Sequence, residues 1–272
     1  MLKPISRLVA IVLLATIFSA CDPGATSQAP DPNPPQQITV FAAASLTEAF
    51  EEIGARFAHA GNTAVAFNFA GSQQLAQQLT SGAPGDVFAA ANQSQFDMAM
   101  ANGRVAPGAA QPFAGNRLII VTPANNPAAL RHVRDLARPG IKLVLADAAV
   151  PAGQYALEML DNARAAPEFG PAFADAVLAN VVSYEESVRA VLTKVLLGEA
   201  DAGIVYISDA TATHRDIAAV EIPDALNVSA RYFIAPVIDS SAPEAAQAFV
   251  DFVHSDAGQA ILERHGFQRV PP

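Results

Sequence analysis

Apolar and polar positions alternate along this chain in two periods, and the period changes repeatedly. Residues 38–44 form a short apolar run, after which Leu46, Phe50, Ile53 and Phe57 recur at helical spacing. Val65, Phe67 and Phe69 alternate strictly with their neighbours over residues 62–69, which predicts a strand, and Leu75 and Leu79 mark one face of a following helix. Residues 86–91 read as a strand before a helix at 94–101. Residues 118–121 form another, bracketed by Gly115 and Pro123, and residues 141–147 a further one. Strands at 204–207 and 231–238 and a helical end from about Glu244 complete the pattern. Strand-then-helix alternation throughout predicts an α/β protein with mostly parallel sheets. No internal repeat is visible.

Four strand-to-helix junctions carry small or hydroxyl residues. Ser45-x-x-Glu48 has capping-box spacing, so Ser45 is expected to cap a helix. Gly71-Ser72 opens the second helix. Pro151 suits a first helical turn, and Ala152 and Gly153 beside it are small enough to let a ligand approach the backbone. Ser183 or Ser187 caps the fourth helix, with Val188 in its first turn. Each helix start offers unpaired N–H groups and the positive end of a dipole, which suits a small anion. In open α/β sheets such junctions lie beyond the carboxyl ends of the strands, where ligands sit.

Composition narrows the class. Among the 272 residues, 51% are hydrophobic and 15% charged, which fits a packed globule and excludes disorder. The formal net charge of −10 excludes a large basic face for nucleic acid. Residues 1–20 read as an export leader: Lys3 and Arg7 precede an apolar run from Leu8 to Phe18 that is too short to span a membrane. Cys21 is the sole cysteine and cannot form an internal disulfide. Residues 21–37 hold Pro23, Pro30, Pro32, Pro34 and Pro35 in polar filler, a stiff solvated tether.

Enzyme signatures are missing. Neither Ser45 nor Ser72 lies in a Gly-x-Ser-x-Gly turn, and no phosphate-binding Gly-x-x-x-x-Gly-Lys-Ser/Thr loop occurs. The five histidines show no zinc-ligand spacing and read as surface or helix-end residues. Tyr206, taken alone, reads as a strand aromatic filling core. The pairs Glu51-Glu52 and Glu185-Glu186 are sequence neighbours that do not share a helix face and read as solvated.

Six motifs together resemble a known family. They are Phe-Ala-Ala-Ala-Ser-Leu-Thr (41–47), Phe-Ala-Gly-Ser-Gln-Gln-Leu-Ala (69–76), Gly-Ala-Pro-Gly-Asp-Val-Phe-Ala-Ala-Ala (82–91), Val-Pro-Ala-Gly (150–153), Glu-Ser-Val-Arg (186–189) and Ala-Gly-Ile-Val-Tyr-Ile-Ser-Asp-Ala (202–210). In that order and spacing, over residues 38–270, the chain resembles the periplasmic molybdate-binding proteins of bacterial ABC importers. The resemblance implies a two-lobed periplasmic-binding-protein fold of type II. Lobe one would be 38–116 plus 235–272, and lobe two 117–234. It implies an oxyanion held by the Ser45 and Ser72 hydroxyls, the Ala152 and Val188 amides and the Tyr206 hydroxyl, with no direct bond from protein to molybdenum. Every one of these groups is a neutral donor. The implied ligand is molybdate, with tungstate equally compatible, and no cofactor or catalysis. The implied partners are a membrane permease and a cytoplasmic ATPase, with the chain acting as a monomer. Many relatives carry a serine where this chain has Gly71, so an auxiliary donor is missing there. Ser19-Ala20-Cys21 resembles a lipobox, with Phe18 in the usual place of leucine, which would make Cys21 the lipidated mature N-terminus and anchor the exported protein to a membrane.

Overall fold

In this computed structural model, residues 36–61 and 63–270 are described; the leader, Cys21, most of the tether and Asn62 lie outside them. The chain opens with β1 (Gln36–Ala43), a 3-10 turn (Ala44–Leu46) and α1 (Thr47–Ala60). It continues through β2 (Thr63–Ala70), α2 (Ser72–Thr80), β3 (Val87–Ala90) and α3 (Gln93–Ala101) to the long β4 (Gln111–Pro123). After a 3-10 turn at Val133–Ala137 come β5 (Leu143–Ala146), α4 (Pro151–Ala165), α5 (Pro171–Ala179), β6 (Val181–Glu185) and α6 (Val188–Leu196). The last elements are β7 (Ala202–Tyr206), α7 (Ile207–Ala212), β8 (Ile217–Val220), β9 (Ser229–Pro236), α8 (Pro243–His254) and α9 (Asp256–Arg264).

The strands lie in the order β2-β1-β3-β9-β4-β7-β5-β6, with β8 also on β4. The β1–β2, β1–β3, β5–β6 and β5–β7 pairs are parallel. The β3–β9, β4–β7, β4–β8 and β4–β9 pairs are antiparallel, so the sheet is mixed rather than mostly parallel. Every antiparallel pair involves β4 or β9, the strands that join the two halves. Strand β4 changes partner midway: Gln111–Arg117 pair with β9, and Leu118–Val121 pair with β7. The register slips between Pro112 and Ala114, where proline supplies no N–H to the ladder. Two βαβ halves with parallel interiors, joined through β4 and β9, make the two-lobed α/β architecture.

The buried face of α1 is the one read from its periodicity: Phe50, Ile53 and Phe57 are buried. Phe50 packs 5.8 Å from Phe113 and 5.9 Å from Phe249, the latter edge-on. Leu75 and Leu79 of α2 are fully buried in a second cluster with Phe88 and Phe96, whose rings lie 4.7 Å apart. Full burial of side chains of this size contributes about 1.5–3 kcal/mol each, so α1 and α2 both start from a firm base.

Candidate functional site

The helix starts converge. Ser45, Ser72, Ala152, Val188 and Tyr206 all line one cleft of about 210 Å³ of empty space, part of it open to solvent. Ala43, Ala44, Ala91, Val150 and Pro151 complete the lining, so no charged side chain faces it. The cleft is too tight for the usual organic ligand and suits a small solute.

Ser45 reaches the cleft by a route the capping-box spacing does not predict. The chain enters α1 through the 3-10 turn, the N-cap position falls on Leu46, and no side chain caps it. Thr47 Oγ1 donates to Ala44 O at 2.7 Å. Glu48 turns away to Arg189. The Ser45 hydroxyl, freed from capping, bonds the Tyr232 hydroxyl at 2.8 Å and is 4% exposed.

Ser72 is the first residue of α2, and its Oγ accepts the Ala91 N–H at 3.1 Å. Pro151 occupies the first position of α4, which places Ala152 in its first turn. Val150 offers no side-chain cap, so the Ala152 N–H keeps the open valence of a first-turn amide. Ser187 is the cap of α6, accepting the Ala190 N–H at 3.2 Å, and Val188 follows it with its amide in the first turn. Ser183 lies in β6 instead and bonds Lys194 Nζ and Glu185. Gly153 is small for the fold rather than for a ligand. A Cβ there would stand 2.1 Å from the Asp147 carbonyl, so glycine is what lets α4 pack against the end of β5.

Tyr206 ends β7 with 1% exposure, and its hydroxyl has no hydrogen-bond partner. A buried polar group without a partner costs about 1–3 kcal/mol, so this hydroxyl is held ready for an acceptor. Burial, reinforced by Tyr232 and Tyr155 nearby, raises its pKa well above the ordinary value, which keeps it a neutral donor. Behind it Asp209 Oδ2 accepts the Tyr206 N–H at 3.2 Å. Burial pushes the Asp209 carboxyl up to about 7, against the pull of Arg189 and that N–H.

A second ring of contacts joins the two halves around the cleft. Gln73 Nε2 donates to Glu186 O at 2.8 Å, and Gln74 Nε2 donates to Glu186 Oε2 at 3.0 Å. Asn92 Nδ2 donates to Gln154 Oε1 at 2.8 Å, and the Tyr155 hydroxyl donates to Ala91 O at 3.3 Å. Gly71 permits the closest approach, since a Cβ there would stand 2.5 Å from Glu186 O. The cleft is closed in this structure. Glu185 is not solvated as its sequence position suggests: its side chain is 13% exposed and bonds Lys194 at 2.6 Å. Glu52 pairs with Arg264 and His265.

Sequence reasoning missed Tyr232, Asp209 and the ring of bridging residues. Tyr232 carries only the signal of a strand aromatic, because its partner Ser45 is 187 positions away.

The arrangement defines a class: a two-lobed protein with one cleft lined by helix N-termini of both halves. The match to the family model of bacterial extracellular solute-binding proteins spans residues 38–268, and the chain belongs to that family. It is therefore a binding protein that works outside the cytoplasm, and not an enzyme. The molybdate-binding protein ModA of Mycobacterium tuberculosis is 41% identical over 268 residues, covering 96% of each chain. The molybdate-binding protein ModA of Escherichia coli is 32% identical, over 85% of this chain and 88% of that protein. The solved periplasmic molybdate-binding protein of Azotobacter vinelandii shares the fold, with a TM-score of 0.74 and 18% identity over 86% of this chain and all of that one.

Proposed function

We propose that the chain captures molybdate and delivers it to an ABC importer. The observation that carries this reading is the convergence of five neutral donors, one of them the unpartnered Tyr206 hydroxyl, in one small cleft whose lining holds no charged side chain. Ser45 and Ser72 hold the anion on lobe one, residues 38–116 plus 235–272. The Ala152 and Val188 amides and Tyr206 close on it from lobe two, residues 117–234. The exchange of β4 partners between Arg117 and Leu118 supports that division. A ligand that bridges both lobes favours the closed state by its differential affinity, and the permease of the importer, driven by its ATPase, reads that closed shape.

Donors alone also set the discrimination. Inorganic phosphate keeps at least one proton near neutral pH, because its third ionisation lies far above that range. That P–OH would face only donors. Molybdate and tungstate carry no proton to place, and sulfate, also unprotonated, is rejected by its shorter bonds. A calorimetric panel tests this: tight binding of molybdate and tungstate, weak binding of sulfate and none of phosphate at neutral pH. Tight phosphate binding would establish an acceptor in the cleft and overturn the reading.

Cys21 serves as a lipidated N-terminus, with residues 22–37 as tether; the sequence Ser19-Ala20-Cys21 supports it. Cys21→Ser is expected to release the protein from the membrane fraction. Unchanged fractionation and mature mass would remove the anchor.

A further inference from the structure

Each serine that faces the cleft is bonded from behind, and the two bonds differ in kind. At Ser72 the partner is the Ala91 N–H, 3.1 Å from Oγ. A backbone amide can only donate, so Ser72 Oγ accepts there and its own proton is left to point into the cleft. At Ser45 the partner is the Tyr232 hydroxyl at 2.8 Å, and either oxygen could be the donor.

Proton counting resolves the direction. Tyr232 is fully buried, and its hydroxyl is hydrogen-bonded to Ser45 Oγ. If Ser45 donated to Tyr232, the phenolic proton would lose Ser45 as its acceptor, and Ser45 would have no proton for an anion. If Tyr232 donates, both protons are used. The surroundings hold the pair in place. Asn116 Oδ1 accepts the Arg117 N–H at 2.9 Å, which fixes the amide's orientation and turns Nδ2 inward to donate to Ser208 Oγ at 2.8 Å. Tyr232 itself is fixed in place. Its ring is wedged edge-on against Phe113 at 6.2 Å and Phe267 at 5.4 Å, so the hydroxyl cannot swing away.

We infer that Tyr232 is a positioning residue for the ligand: its hydroxyl donates to Ser45 Oγ and so fixes Ser45 as a donor toward the bound oxyanion. The inference rests on the reading of the cleft as an oxyanion site. It makes the two serines equivalent, one directed by a backbone amide and the other by a side chain 187 positions away. A serine directed in advance gives up less rotational freedom when the anion arrives.

A double-mutant cycle with molybdate as the probe tests it, using the parent, Tyr232→Phe, Ser45→Ala and the double variant. Phenylalanine keeps the ring packing and removes only the hydroxyl. Calorimetry is expected to show about a 3- to 10-fold loss of affinity for Tyr232→Phe in the parent background, in the range of one neutral hydrogen bond. In the Ser45→Ala background the same change should cost less than about twofold, because there is no hydroxyl left to direct. Apo melting temperatures of the four proteins establish that each is folded. Equal losses in both backgrounds would mean that the Tyr232 hydroxyl acts by a route other than Ser45, and no loss in the parent background would mean that it does not act at all; either overturns the inference while the site reading stands. Full affinity in Ser45→Ala alone would take Ser45 out of the site and overturn both.

Discussion

Two buried aspartates are treated oppositely by this fold. Asp86 accepts the Thr39 N–H, the Ser240 hydroxyl and the Ser241 N–H, a satisfied structural carboxylate. Asp209 holds the Tyr206 N–H on Oδ2, while Oδ1 is buried and unpaired. Burial is the dominant reason its pKa rises from the ordinary 3.8 to about 7. An acid whose folded pKa is raised contributes its stability fully below the unfolded pKa and loses it as pH climbs to the folded value. Asp209 should therefore weigh progressively against the fold between about pH 4 and pH 7. Asp209→Asn mimics the protonated form and should gain in melting temperature on the parent as pH goes from 5 to 8. At this chain length ~1 kcal/mol corresponds to about 2–4 °C, so a gain of several degrees is expected. A constant difference across that range would show that Asp209 does not titrate there. None of this is legible in the motif at 202–210, because the role comes from burial and from Arg189 and Glu48, which arrive from two other helices.

At the scale of elements, the pattern of apolar positions locates nearly every strand and helix around the site, and the hydroxyl and small residues at their junctions do converge. What the pattern misses is non-local. Alternation does not encode strand direction, so the antiparallel joins at β4 and β9 are invisible in it. Gly115 and Pro123 bracket a strand at 118–121, whereas β4 runs from Gln111 through a bulge to Pro123. The Ser45-x-x-Glu48 spacing is real but unused, since Glu48 bonds Arg189 of α6 across the cleft. That bridge yields a kinetic prediction. The two side chains are 38% and 28% exposed, and a pair of this kind contributes about 0.2–1 kcal/mol. The contact forms only when α1 and α6 approach, so its loss should act on opening. Glu48→Gln is expected to raise the dissociation rate of molybdate by up to about fivefold and leave the association rate within a factor of about two. Stopped-flow measurement of both rates checks it, and an unchanged dissociation rate would show that this bridge does not hold the cleft shut.

At the scale of the whole molecule, a net charge of −10 surrounds a site proposed for a dianion, and loss of the leader with Lys3 and Arg7 makes the chain more negative still. The short-range and long-range fields then oppose each other. Within the cleft, oriented N–H and O–H groups act over a few ångströms in a medium of reduced dielectric. Outside it, the approaching anion meets a field of its own sign, whose reach is set by salt: the Debye length is ~30 Å at 0.01 M and ~8 Å at 0.15 M. Proteins that bind anions through basic residues lose association rate as salt is added, because steering is screened. Here the screened interaction is repulsive, so the sign should reverse. Raising ionic strength from 10 to 150 mM with an inert salt such as sodium chloride should increase the association rate of molybdate by roughly two- to fivefold. The dissociation rate should stay nearly constant, since the closed cleft is lined by neutral groups. An association rate that falls with salt would mean that a basic residue guides the ligand at the cleft mouth, and Arg189, at the start of α6 beside Val188, would be the first residue to substitute.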